Sequence, residues 1–320
     1  MSTRQGEPSG PALPHPQGAG PFDSTQGKRE TRKVTVPAIL ARKPRGEKIT
    51  CLTAYDYPTA RLVDAAGVDM ILVGDSLAMV VLGHENTLPV TMEEMLHHTR
   101  AVHRGTQRAL LIADMPFGSY QLDPNQALVN AIRFVKEAGA EAVKIEGGEK
   151  RLDLILKLVE NDIPVMAHIG LTPQSIHALG GFKLQGKTLE AAEQLLRDAR
   201  AVEAAGAFSL VLESIPAEVA EQITRELKIP TIGIGAGPGC DGQVLVWHDL
   251  VGLSFGVQPR FARRYADLRA ELEQAVRRFV ADVTTGSFPA EAETNRLSPD
   301  VRERWLALRA APSGQARSPR

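Results

Sequence analysis

The run Met70-Ile71-Leu72-Val73-Gly74-Asp75-Ser76 decides the fold. Four large apolar residues stand together without polar alternation, the pattern of a parallel strand buried on both faces. An acid and a hydroxyl then follow where the chain would leave the sheet. The same construction recurs in ITCLTAY (49–55), ALLIADMP (109–116), AVKIEG (142–147), PVMAHIG (164–170), FSLVLES (208–214), PTIGIGAG (230–237) and LVGLSFG (250–256). Helical patterns lie between them at 91–104, 125–138, 150–160, 189–205 and 217–227. Eight strands alternating with helices over about 240–250 residues predict an α/β chain closed into a (β/α)8 TIM barrel. That barrel forms one catalytic domain over 34–286. A doubly wound open sheet would announce itself by a glycine-rich turn after the first strand, and ITCLTAYD has none.

The 320 residues carry 37 Lys and Arg against 38 Asp and Glu, so there is no basic excess to neutralise a nucleic acid. Aromatic residues are 5% of the chain, too few for a base-stacking platform. No apolar run reaches the ~18–20 residues that span a bilayer. No apolar segment follows basic residues at the start, as a secretory signal requires. The expectation is a cytoplasmic protein acting on small molecules, with neither nucleic acid nor membrane as partner. Cys51 and Cys240 are too few for a disulfide framework and read as reduced thiols. Residues 1–30, crowded with Gly, Pro, Ser and Gln, read as a disordered tail. Residues 287–320 read as a second tail, largely irregular, with a short helix around 301–309.

In a barrel all strand ends of one sense converge on one face, where active sites are built. Asp75, Asp114 and Glu146 end three successive predicted strands and so fall on one arc. Three unpaired carboxylates in a dry site repel one another, and a divalent cation removes that cost. Oxygen-only ligands with room for water or substrate oxygens suit Mg²⁺ better than Ca²⁺. The plainer alternative is that each acid pairs with a Lys or Arg or caps the next helix.

Lys144 stands two residues before Glu146, so both side chains leave the strand on one side. It reads as an ion-pair partner, a clamp on an anionic substrate or a Schiff-base amine, with the clamp favoured. His168 reads as a metal ligand, a hydrogen-bond donor to substrate or a core histidine; His97 and His98 fall on a helix and read as solvated. Glu213, on a later strand, is placed to serve as a general base, or else as a salt bridge at the rim. The GIGAG run (233–237) is a weak phosphate-loop signal. GGFKLQGK (180–187) reads as a flap whose Lys183 and Lys187 attract an acidic cosubstrate or are simply solvated.

Longer motifs then converge. VGDSL (73–77), GHENTLPVT (83–91), ADMPF (113–117), VKIEGGE (143–149), HIGLTPQS (168–175), GGFKLQG (180–186), IGIGAG (232–237) with DGQVLV (241–246), and PRFA (259–262) closely resemble, in order, the ketopantoate hydroxymethyltransferase family. The resemblance runs from about 34 to 288. It implies a (β/α)8 barrel, one Mg²⁺ per subunit and 5,10-methylenetetrahydrofolate as cosubstrate. The reaction implied is hydroxymethyl transfer to the α-keto acid 3-methyl-2-oxobutanoate, in pantothenate biosynthesis. Carried over position by position, it makes Asp75 and Asp114 metal ligands, with Glu146 the third acid, reaching the ion through water. Asp75, Ser76, Asp114 and Lys144 become contacts to the keto acid, and Glu213 the catalytic proton acceptor. A homo-oligomer, usually a decamer, is also implied. FGVQ (255–258) and the long polar N-terminal stretch depart from the family pattern, away from the catalytic positions. Two rival readings are a Mg²⁺-dependent 2-oxo acid lyase or aldolase and a non-catalytic metabolite-binding barrel. Folate dependence separates the first, and isotope exchange at C3 of the keto acid separates the second.

Overall fold

The computed structural model describes residues 32–310 apart from Val257. The tail expected at 1–30 lies outside the described residues. Eight strands pair in chain order, each parallel to the next, and the last returns to the first. They are β1 Ile49–Thr53, β2 Met70–Val73, β3 Leu110–Asp114, β4 Ala142–Glu146, β5 Val165–Gly170, β6 Ser209–Glu213, β7 Thr231–Ile234 and β8 Gly242–Leu245. This is the predicted (β/α)8 barrel. Its helices are α1 Val36–Leu40, α2 Tyr57–Ala65, the short α3 Leu77–Val80, α4 Met92–Gly105, α5 Pro124–Ala138, α6 Leu152–Glu160, the short α7 Ile176–Leu179, α8 Leu189–Ala204 and α9 Ala217–Glu226. Their starts are local chemistry. Asp56, Thr91, Asp123 and Thr188 each accept a backbone N–H of the first turn of α2, α4, α5 and α8. Thr91 and Glu94 complete a reciprocal capping box.

The eighth strand is not where the apolar run predicts. LVGLSFG (250–256) forms no strand; β8 is Gly242–Leu245, and Trp247–Leu250 is a helical turn, α10. Gln243 of β8 and Thr50 of the neighbouring β1 are exposed, so both strands alternate. A half-covered strand carries polar residues on its outer side, and a search for continuous apolar runs passes over it. By contrast β2, β3 and β4 are buried along their whole length.

Inside the barrel Met70, Leu72, Leu110, Ile112, Ala142, Met166, Val211, Ile232 and Val244 form one apolar cluster, joined by Ile39 of α1. Strand residues two apart share a face. Continuing that parity along the strands leads from Ile112 to Asp114, from Ala142 to Lys144 and Glu146, from Met166 to His168, and from Val211 to Glu213. The polar layer thus sits directly above the apolar one, toward the C-terminal strand ends.

The chain forms two compact units, the first ending at Val246 and the second starting at Trp247. The second holds α10, α11 Leu268–Thr285 and α12 Pro299–Ala310. Asp267 caps α11, and Gly286 in a left-handed conformation ends it. Helix α12 contains the short helix expected at 301–309, and 311–320 lie outside the described residues. Among the described residues no helix is long and apolar enough to cross a membrane.

Candidate active site

Asp75 leaves the end of β2 beside Gly74, where a Cβ would fall 2.7 Å from Ser76 Oγ. The bare backbone lets the Asp75 N–H reach Asp114 Oδ2 at 3.0 Å. The other oxygen, Asp114 Oδ1, accepts from Lys144 Nζ at 2.8 Å. Strand register places Asp114 opposite Lys144 and Glu146 opposite His168. His168 Nδ1 lies 3.4 Å from Glu146 Oε1, and Nε2 lies 3.2 Å from Glu213 Oε2. These are charge pairings rather than aligned hydrogen bonds. Glu146 Oε1 and both ring nitrogens are buried without a hydrogen-bond partner among the described residues.

Five consecutive strands, β2 to β6, therefore contribute to one row, and β6 stands four strands from β2, on the opposite side of the barrel. The three arc acids, Lys144 and His168 are buried, whereas the Glu213 side chain keeps 16% exposure. Ser214, immediately after Glu213, takes the left-handed backbone (φ 46°) that turns the chain away at this point. Gly170 of β5 makes room beside it: a Cβ there would fall 2.3 Å from the Glu213 carbonyl oxygen.

The charges are unbalanced. Burial first, then the carboxylates of Asp114 and Glu146, push the Asp75 carboxyl well above the usual carboxylate range. Burial pulls the Lys144 ammonium down, but Asp114, Glu146 and Asp75 outweigh it and hold the group firmly protonated. Burial and Lys144 oppose charge on His168, yet Glu146 and Glu213 raise its pKa to about 9.

Ser76 is half-buried, its Oγ 2.8 Å from the Tyr55 hydroxyl. The Tyr55 carbonyl lies 2.6 Å from His98 Nδ1, so His98 is a half-buried strut rather than the solvated group its helix suggested; His97 is exposed. Lys183 and Lys187 are exposed, and the loop carrying them is tied to the site by a Gln185 N–H donated to the Ser214 carbonyl at 2.9 Å. In the GIGAG run Gly235 and Gly237 have positive φ, as a tight turn requires.

Two residues of the site carry no charge and escape a reading based on acids and bases. Gln174, in the turn after β5, donates from Nε2 to Asp75 Oδ2 at 2.9 Å and from its backbone N–H to Glu146 Oε2 at 3.0 Å. Tyr120 accepts the Glu146 N–H at 3.1 Å. The HIGLTPQS motif contains Gln174, but nothing in its residue type marks it among the other loop amides.

The donor set suits a hard cation. Asp75 Oδ1 takes no hydrogen bond among the described residues, and Asp114 keeps lone pairs beyond its two N–H donors. No three His, Cys, Asp or Glu side chains among the described residues gather closely enough to hold an ion alone. A cation held by Asp75 and Asp114 would need water or substrate oxygens for the rest of its shell, as Mg²⁺ usually does.

A row of buried carboxylates, one ammonium and a histidine at the C-terminal strand ends defines a (β/α)8-barrel enzyme. The profile of the ketopantoate hydroxymethyltransferase family matches residues 33–291. The chain is 60% identical over 265 residues to the 3-methyl-2-oxobutanoate hydroxymethyltransferase of Koribacter versatilis (strain Ellin345), covering 83% of this chain and 90% of that protein. It is 53% identical over 272 residues to the protein of that name from Carboxydothermus hydrogenoformans (strain ATCC BAA-161 / DSM 6008 / Z-2901), covering 85% and 99%. The chain belongs to the ketopantoate hydroxymethyltransferase family. Among solved structures, phosphonopyruvate hydrolase in complex with oxalate and Mg²⁺ shares the fold, at 17% identity and a TM-score of 0.53, covering 87% of this chain and 98% of that one.

Proposed function

We propose that the chain transfers a hydroxymethyl group from 5,10-methylenetetrahydrofolate to 3-methyl-2-oxobutanoate, giving 2-dehydropantoate for pantothenate synthesis. The observation that carries the reading is the row itself. Asp75, Asp114, Lys144 and Glu146 are gathered on one side, and Glu213 faces them beyond His168. Asp75 and Asp114 would hold one Mg²⁺, with Glu146 one water further out. Bound there, the ion supplies Lewis acidity to the carboxylate and keto oxygens of the substrate.

The chain's own residues do the rest. Asp75, Ser76, Asp114 and Lys144 bind and orient the keto acid. The Lys144 ammonium places a fixed positive charge beside the substrate oxygens as negative charge grows there, and burial makes that charge worth more than in water. The Glu213 carboxylate takes the C3 proton. His168, protonated between Glu146 and Glu213, holds the base in place and balances its charge. Water frees the one-carbon unit from the folate: its oxygen stays on the carbon, its two hydrogens go to the two folate nitrogens, and tetrahydrofolate leaves. The C–H electron pair left at C3 forms the new bond to that carbon, and the proton held by Glu213 goes to its oxygen to complete the hydroxymethyl group. We place the enzyme in the cytoplasm as a homo-oligomer, a decamer by family resemblance, with the single barrel domain at 34–286.

Deuterium exchange at C3 of 3-methyl-2-oxobutanoate, with saturating Mg²⁺ and no folate, tests the reading. The wild-type chain exchanges. Glu213→Gln keeps keto-acid binding and lowers exchange by roughly 10²–10⁴-fold, the range of a general base. Near-normal exchange in the variant removes Glu213 from the role. Product formation from formaldehyde that ignores added folate removes the transferase.

A further inference from the structure

Gln174 makes five hydrogen bonds inside the site, and none of the roles above uses it. Its Oε1 accepts from the Tyr120 hydroxyl at 2.6 Å and from Gln121 Nε2 at 3.1 Å. Its Nε2 donates to Asp75 Oδ2 and to the Met115 carbonyl, both at 2.9 Å. The direction of every bond is determined. The Met115 carbonyl can only accept, so it draws the Nε2 end of the amide and turns Oε1 to Tyr120, whose oxygen takes the Glu146 N–H while its hydroxyl hydrogen reaches Gln174. The Gly118 backbone N–H donates to Gln121 Oε1 at 2.7 Å and so fixes that amide, whose Nε2 must face Gln174. Met115 offers only a carbonyl. A flipped Gln174 amide would set donors against donors and a carbonyl against acceptors, with every group buried or half-buried.

Locked this way, one residue takes one oxygen from each of two acids. Asp75 Oδ2 is held by the side chain and Glu146 Oε2 by the backbone N–H, at 2.9 and 3.0 Å. Asp75 Oδ1 takes no hydrogen bond among the described residues, and Glu146 Oε1 is turned to the His168 ring, 3.4 Å from Nδ1. The amide is also neutral. An arginine or lysine here would orient Asp75 but cancel the charge a cation needs, whereas an amide orients it and leaves the charge standing.

We infer that Gln174 is a positioning residue that selects which carboxylate oxygen of Asp75 is presented to the cation and which oxygen of Glu146 faces His168, with Tyr120 and Gln121 setting its amide. The inference rests on the functional reading only for what occupies the site. Its test uses the full chain and Mn²⁺ as a spectroscopic stand-in for Mg²⁺. Binding is followed by electron paramagnetic resonance without substrate, and C3 deuterium exchange is followed at saturating Mn²⁺. Gln174→Met keeps the length and removes both polar ends. The Mn²⁺ Kd rises about 10–100-fold and exchange falls by a like factor, as when a metal ligand's outer partner is removed. Tyr120→Phe, which leaves Gln174 in place but frees its amide, moves both readouts the same way by less.

A purely structural role predicts a lower Tm with Mn²⁺ affinity and exchange of the folded protein unchanged, and that result overturns the inference. Should Gln174→Met not fold, Tyr120→Phe decides: unchanged Mn²⁺ affinity overturns the inference. A wild-type chain that binds Mn²⁺ but exchanges no deuterium sinks the functional reading alone, and the Mn²⁺ arm still judges Gln174. A wild-type chain with no Mn²⁺ affinity sinks both.

Discussion

At the N-terminal end of the barrel Asp69 accepts from Arg42 at 2.9 and 2.7 Å, from Arg108 at 3.2 Å, and from the Thr50 N–H and hydroxyl at 3.0 and 2.8 Å. Asp64 takes the backbone N–H groups of Gln107, Arg108 and Ala109, and Asp241 takes Lys43 and the Thr231 N–H. At the C-terminal end Asp75, Asp114 and Glu146 share one ammonium and one imidazolium. Both ends use carboxylates, buried at Asp69 and Asp64 as at Asp75, Asp114 and Glu146, and half-buried at Asp241. What differs is the supply of donors. One end spends its acids on holding strands and loops together, and the other keeps them short of partners so that something from outside can bind. On the proposed function, stability and chemistry thus fall at opposite ends, as barrel architecture allows.

The sharpest way to break that contrast is to exchange the injuries. Asp69→Ala strands two guanidiniums and should cost about 3–5 kcal/mol in urea unfolding while the folded protein keeps its turnover. Asp75→Asn should lose more activity than the about 10–100-fold typical of an outer partner, yet unfold at equal or higher urea, since it removes a charge that burial and two neighbouring acids disfavour. Activity loss in the first with stability loss in the second would reverse the assignment of the two ends.

A smaller effect follows from the sign of the Asp75 shift. Its carboxyl titrates higher in the folded protein than in the unfolded chain, so the folded form retains a proton that the unfolded form gives up. The contribution is present below the ordinary carboxylate range and is lost as pH rises through the raised value. Metal-free protein should therefore lose part of its stability on going up from about pH 4. Asp75→Asn should lack that component in calorimetric scans. Added Mg²⁺ should raise the Tm of the wild-type chain and not of the variant.

The smallest effect is expected at Ser76→Ala. Losing the contact with the Tyr55 hydroxyl costs about 1 kcal/mol, and steady-state kinetics should show a higher KM for the keto acid with kcat little changed. A fall in kcat alone would move Ser76 from binding to the chemical step.

Much of this was legible because burial on both faces forces strands into continuous apolar runs. Each run of β2, β3, β4 and β6 ends in its acid, so Asp75, Asp114, Glu146 and Glu213 stand out by contrast with what precedes them. β8 was illegible for the converse reason. It borders solvent at Gln243 and carries few apolar residues, while the richer run at 250–256 belongs to the second unit. Gln174 and Tyr120 escaped because their role lies in the direction of hydrogen bonds, which three-dimensional neighbours set and no local pattern encodes. His98 misled because a histidine's fate on a helix depends on the loop across from it, here the Tyr55 carbonyl.

The alternation of β1 and β8 has a consequence of its own. Thr50 and Gln243 face out on these two neighbouring strands, whereas β2, β3 and β4, which bear the acids, are buried along their whole length. Local opening starts where the least apolar surface must be exposed. The pairing of β8 is shorter toward β7, two residue pairs, than toward β1, four, so opening should begin on the β7 side, away from the acids of β2, β3 and β4. Opening on that side of β8 would leave the spacing of Asp75, Asp114, Lys144 and Glu146 undisturbed.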